Sequence, residues 1–131
     1  MAKIPKTLAM RTLDALGVAY TVHAYPEEIR DAVLVAQAID APPNRIFKTL
    51  VVLSDASGAR PMLVMLPADT SLDERAFARE IGLKSVHMAS HTQAESLTGL
   101  KVGGISALAL LNRRFIMYID DSAQKDFYHL C

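Results

Sequence analysis

The chain has 131 residues, no formal net charge at pH 7, 51% hydrophobic residues and 21% charged ones, a globular composition long enough for one domain that buries about two thirds of its unfolded surface. Neutral balance argues against non-specific, high-affinity nucleic-acid binding while leaving room for a local basic face, and the apolar runs fall well short of the ~20 residues that span a bilayer. Cys131 is the single cysteine, so no internal disulfide forms; with nothing at the N-terminus resembling a signal peptide, the expected setting is a reducing cytoplasm.

Thr7 predicts the cap of a first helix running to about Leu16, with Ala9, Leu13 and Leu16 at helical spacing and Gly17 to end it. Tyr20–Tyr25 reads as a strand stopped by Pro26. A second helix is expected from Arg30 to Ile39, broken by Ala41-Pro42-Pro43-Asn44. Ile46–Leu53 is apolar and β-branched almost throughout, the pattern of a strand buried on both faces. Ser54–Gly58 reads as a hairpin connection returning through Pro61–Leu66. Ser71-Leu72-Asp73-Glu74 predicts a capping box for a helix closing at Gly82, and a short strand is expected around Val86-His87-Met88. Ser90-His91-Thr92-Gln93 is a second capping box, opening a short helix that stops before Gly99. Phe115–Ile119 reads as another buried strand leading to Asp120-Asp121, and Tyr128–Cys131 as a strand just begun. There is no repeat, low-complexity tract or linker. Strands dominate the middle with helices inserted irregularly, so the expected fold is α+β: one compact domain over residues 1–131, a curved, barrel-like mixed sheet flanked by helices.

Lys48 stands out in its strand because an ammonium there must reach a partner, solvent or a ligand anion. Snorkelling to water along its own stem is the plain alternative. Gly103-Gly104 lies in the apolar frame Val102–Ser106. Adjacent glycines allow positive φ and close approach, so their amides can form an anion nest or oxyanion hole, or simply a tight turn. Ser106 suits either a ligand hydrogen bond or a cap on Ala107–Leu111. His87 and His91 stand four apart, but the Ser90 cap sets a helix start between them, against a shared zinc-binding face. His23, alternating with apolar residues, reads as a structural histidine. Gly-x-Ser-x-Gly is absent, and Cys131 has no activating neighbour except His129, so no protein nucleophile stands out. Asp120 and Asp121 fit the rim of a site or a solvated turn. Arg113-Arg114 with Lys101 fits part of a phosphate-facing patch or a solvated pair.

Ile46-Phe47-Lys48-Thr49-Leu50, Leu72-Asp73 with Ala78, Gly82 and Lys84, Met88-Ala89, Thr98-Gly99, Val102-Gly103-Gly104-Ile105-Ser106 and Ile119-Asp120 occur in this order. Together they resemble the YbaK/ProX family of aminoacyl-tRNA deacylases, related to the editing domain inserted in bacterial prolyl-tRNA synthetases. The likeness runs from about Leu8 to the end. It is to the YbaK branch, which clears Cys from tRNA(Pro). The branch acting on Ala-tRNA(Pro) carries Asn after the lysine and a Gly-Ser-Val-Thr type loop, and this chain has neither.

The resemblance implies a small α+β fold that binds the acceptor end of tRNA in a pocket. It implies trans-editing hydrolysis of mischarged tRNA, chiefly Cys-tRNA(Pro), with the substrate's own thiol attacking its carbonyl. Lys48 is implied as the pocket lysine, holding the terminal adenosine's phosphate or the aminoacyl end. The Gly103-Gly104 loop would orient the aminoacyl carbonyl, and Tyr25, Thr49, Ser106 and Asp120 match positions around the pocket. Aminoacyl-tRNA and prolyl-tRNA synthetase are the implied partners; no cofactor, metal, membrane or DNA is. Family members continue past the final strand into a turn that contributes to the pocket, so the domain is expected to be short at its C-terminus. That departure keeps a rival open, a module that binds a tRNA end or nucleotide without turnover.

Overall fold

A computed structural model describes residues 6–26, 28–111, 113–124 and 129–130. The centre of the fold is strand β1, Ile46–Ser54, with Ile46, Phe47, Val51 and Val52 buried. Their aromatic and β-branched side chains fit a pleated strand covered on both faces. The chain turns and comes back as β2, Met62–Pro67, which is buried at every position. β2 runs antiparallel to β1, with Lys48 opposite Leu66 and Val52 opposite Met62. On the other edge of β1, the short strand β3, Val86–Met88, pairs antiparallel at Val52–Ser54. β4, Ile116–Ile119, lies parallel to β2, and β5, His129–Leu130, lies parallel to the start of β1.

The sheet is mixed, as expected, but its order β3-β1-β2-β4 is open. The barrel-like closure inferred from sequence is therefore corrected. Closing a barrel needs edge strands long and staggered enough to meet. Among the described strands, β3 has three residues and β5 two, and both hang on the same edge of β1.

Alternation along β1 divides the core. Phe47 and Val51 pack on one face with Leu63, Ala94, Ile105, Leu110 and Phe115. Val52 packs on the other with Met62, Val64, Leu66, Ala78 and Val86. Helix α1, Leu8–Leu16, is capped by Thr7 and closed by Gly17 at φ 70, as its sequence predicts. α2, Ala32–Ala38, is shorter than expected because the Asp31 carboxylate accepts the amides of Val33 and Leu34 and so starts the helix there. α3, Glu74–Glu80, lies over the second face. Its cap is Asp73 rather than Ser71, with the Asp73 carboxylate accepting the Ala76 amide at 3.0 Å. Leu72 packs against the core just before it, which leaves Asp73 at the junction. α4, His91–Thr98, has both halves of the Ser90/Gln93 capping box and ends at Gly99.

Two strand expectations need correction. Tyr20–Tyr25 forms no strand, and Val18 and Val22 stand exposed in this irregular stretch. β-Prone side chains form a strand where a partner edge and a packed face are on offer. β4, expected to be buried, lies at the sheet edge, with Ile116 and Ile119 exposed and only the preceding Phe115 buried. Tyr128 and Cys131 lie outside the described residues. Among the described residues no helix is long and apolar enough to cross a membrane.

Beyond β1, the Asp55 carboxylate accepts the Ser85 hydroxyl at 2.5 Å and lies 3.0 Å from Nδ1 of His87. This clips the turn after β1 to the start of β3. The Ser85 hydroxyl holds the Asp55 carboxyl below the usual range; partial desolvation works against it, and His87 adds to the lowering. A carboxyl depressed in the folded state gives stability that is complete above its unfolded value of about 3.9 and is lost as pH falls through the folded one. Asp55→Asn should therefore lower Tm slightly at neutral pH, the pair being exposed. In a pH series of thermal melts the gap between the two proteins should close below about pH 4; a gap that widens there would contradict the clip.

Candidate active site

Between the β5 and β3 pairings, residues 48–51 of β1 border a cavity of 230 Å³. Its other walls come from Arg30 and the start of α2, from Met88 and His91 around the start of α4, and from Gly103. Pockets for drug-sized ligands begin near ~300 Å³, so this one suits a group of amino-acid size rather than a whole nucleotide.

Lys48 is half-buried and lines this cavity. Its ammonium donates to the Thr70 carbonyl at 2.6 Å and to the Ala68 carbonyl at 3.3 Å. The antiparallel register makes this possible. Lys48 sits opposite Leu66, next to the point where β2 ends and its carbonyls come free of the ladder. Two neutral acceptors orient the charge without cancelling it. Among the described residues no carboxylate pairs with Lys48, and an ammonium with two bonds keeps a third donor for a ligand.

The glycine loop is a turn in which the Gly104 amide donates to the Lys101 carbonyl at 2.8 Å. Three side chains hold it. Thr98, buried at the end of α4, accepts the Leu100 amide. The Glu95 carboxylate accepts the Val102 amide at 2.9 Å, and the Arg30 guanidinium donates to the Val102 carbonyl at 3.3 Å. Gly103 has φ +92, and a Cβ there would lie 2.7 Å from Cβ of Arg30. Both constraints call for glycine. Gly104 is different, because a Cβ there would meet only the Lys101 carbonyl, at 3.5 Å. Among the described residues the Gly103 amide has no hydrogen-bond partner. The loop thus brings one amide to the cavity, with the second engaged in the turn itself.

Lys48, Thr49 and Gly103 meet at this cavity, and Gly104 follows immediately behind. Tyr25 and Ser106 are half-buried outside its lining, and Ser106 begins the 3₁₀ turn Ala107–Leu110 without a side-chain cap bond. Asp120 is exposed; its amide donates to Met65 and its carboxylate accepts the Ser122 amide. It stands in the sheet row of Leu66 and Lys48, two strand spacings or ~10 Å from the lysine. His87 is tied to Asp55, while His91 opens α4 and faces the cavity. Among the described residues no three His, Cys, Asp or Glu side chains gather as a metal-binding group. Arg30, Met88 and His91 were not singled out as cavity residues by sequence. Gly103 announces a close approach, but nothing local says that its neighbour is Arg30, 73 residues away.

The family model for the aminoacyl-tRNA editing domain matches residues 26–131. This chain belongs to that family. An Enterococcus faecalis protein named "Putative Cys-tRNA(Pro)/Cys-tRNA(Cys) deacylase EbsC" is 32% identical over 122 residues, covering 92% of this chain and 73% of the relative. Among solved structures, hypothetical protein APE2540 superposes with a TM-score of 0.80 at 22% identity, over 92% of this chain and 77% of that one. A structure described as "a putative trans-editing enzyme for prolyl tRNA synthetase" gives 0.73 at 23% identity, over 94% and 78%. At those identities the structural likeness is one of fold.

In this editing domain the two glycines should respond differently to substitution. Gly103→Ala combines a left-handed backbone with a sub-contact approach to Arg30, and should cost about 1–3 kcal/mol of stability while displacing the turn. Gly104→Ala meets ordinary van der Waals distance and should cost under about 1 kcal/mol. Urea unfolding of both variants checks this; equal losses would mean that Arg30 does not constrain the loop.

Proposed function

We propose that this chain is an aminoacyl-tRNA deacylase that works in trans as a single editing domain, with Cys-tRNA(Pro) as its leading substrate. The observation that carries the reading is the meeting of Lys48, Thr49 and Gly103 at one cavity of amino-acid size, in a chain of the editing-domain family. The relative named as a Cys-tRNA deacylase supports the choice of amino acid.

In this reading the cavity takes the aminoacyl group. Lys48, oriented by two carbonyls, gives its remaining donor to the phosphate of the terminal adenosine or to the aminoacyl end. The Gly103 amide donates to the ester carbonyl oxygen, where negative charge develops. Gly104 sets the turn that aims it, and Thr49 contacts the bound group. Tyr25, Ser106 and Asp120, outside the lining, meet the nucleotide that the cavity is too small to admit.

An aminoacyl ester is already activated, so positioning and a preorganised donor provide much of the rate. The substrate thiol attacks its own carbonyl carbon, and the bond from that carbon to the ribose oxygen breaks. The proton lost by sulfur passes to the ribose oxygen, leaving tRNA with a free hydroxyl and a cyclic thioester that water opens to cysteine. No side-chain nucleophile and no cofactor enter this scheme. The role belongs beside the synthetases in the cytoplasm, with prolyl-tRNA synthetase as the natural partner.

A deacylation panel tests this. Cys-tRNA(Pro) should be cleaved at least about tenfold faster than Ser-tRNA(Pro), whose hydroxyl is similar in size but a poorer nucleophile at neutral pH. Equal rates would replace the thiol with a bound water. Binding of tRNA with no ester cleaved would make the domain a binding module.

A further inference from the structure

A second cavity, of 490 Å³, is lined by Arg60, Arg113 and Arg114 with Pro61, Leu97 and Phe115. All three arginines are exposed, and among the described residues none is paired with a carboxylate. In a chain of zero net charge, three uncompensated guanidiniums around one hollow are a concentrated positive site. Two of the guanidiniums are also anchored. Nε of Arg60 donates to the Arg114 carbonyl at 3.4 Å, and Nη2 of Arg113 donates to the Leu97 carbonyl at 3.1 Å. A guanidinium has five donors in a planar fork, so each keeps the geometry that grips a phosphate.

The position matters as much as the charge. Ala94 of the first cavity and Phe115 of the second belong to one core cluster, on one face of the sheet. α4 connects them, with His91 at the first cavity and Leu97 at the second. Six residues of helix rise ~9 Å. That separation is short enough for one single-stranded end, with a phosphate on every nucleotide, to reach both cavities.

We propose that the Arg60–Arg113–Arg114 cavity is a second part of the tRNA-binding surface. It receives backbone phosphates of the single-stranded acceptor end, close to the terminal adenosine. The choice of RNA as the polyanion rests on the deacylase reading above.

The test is binding of uncharged, fluorescently labelled tRNA(Pro) from 50 to 200 mM salt, by the unsubstituted protein and by Arg60→Ala/Arg113→Ala/Arg114→Ala. Three single-strand phosphate contacts account for a salt slope of about 2, so the unsubstituted protein should lose about twentyfold more affinity than the variant across that range. The Lys/Lys/Lys variant at the same positions should regain most of the slope, and in deacylation the alanine variant should raise KM more than it lowers kcat. If circular dichroism shows the triple variant unfolded, Arg60→Ala alone is read, with a slope change of about 0.7. Identical slopes overturn the proposal, as do identical slopes joined to lost binding of prolyl-tRNA synthetase, which would make the cavity a protein contact. The two readings fail separately. Cleavage of Cys-tRNA(Pro) with an unchanged slope removes the arginine site alone. A changed slope in a protein that cleaves no ester keeps the arginine site and removes the deacylase.

Discussion

Two backbone carbonyls, those of Ala68 and Thr70, hold the ammonium of Lys48 at the mouth of a hydrophobic sheet. The placement of the site's one strand-borne charge depends on this contact. A half-buried charge in a strand that carries Ile46, Phe47, Val51 and Val52 in the core is costly unless its hydrogen bonds are met. Here they are met by acceptors that become available only because β2 ends just beyond Leu66. The β1–β2 register is therefore a functional constraint as well as a structural one: a slip of one residue would move Lys48 to the opposite face and take Phe47 out of its own core cluster.

The glycine loop approaches from far along the chain and is fixed in a different way. Glu95 and Thr98 bind its backbone from the C-terminal half of α4, while Arg30 grips the Val102 carbonyl from the segment before α2. The space Arg30 occupies is the space a Cβ at position 103 would need. Helix α4 thus has three relations to the site: its first residue faces the cavity, its last turn holds the loop, and its Leu97 carbonyl anchors an arginine of the second cavity. The Ser90/Gln93 capping box fixes where that helix begins, and so sets all three.

Much of this was legible in the sequence where the signal is local. Thr7 with Gly17 and Ser90 with Gln93 and Gly99 fix helix ends through bonds within a few residues, and the apolar run at 46–53 marks its strand through its own composition. Lys48 showed itself as the residue that did not fit. What was hidden depends on distant partners. Tyr20–Tyr25 has strand residues but pairs with none of the described strands, and the sheet stays open because its outer strands are short. Gly103 and Gly104 read alike in sequence, and it is the Arg30 stem and the positive φ at Gly103 that separate them. Arg60 gave no sign of belonging with Arg113 and Arg114, since it lies on the other side of the β2 strand in sequence.

The central claim is that the Lys48 ammonium acts on substrate rather than merely closing a gap in the fold. Its most direct test is single-turnover hydrolysis of Cys-tRNA(Pro) by Lys48→Ala, with thermal unfolding of the same preparation. Thr70 is exposed, so water can reach its carbonyl once the lysine is gone, and Tm should shift by no more than a few degrees. The rate should fall about a hundredfold or more, the size of effect seen when one charged or oriented contact to a reacting group is lost. A folded Lys48→Ala protein that deacylates at the original rate would contradict the account.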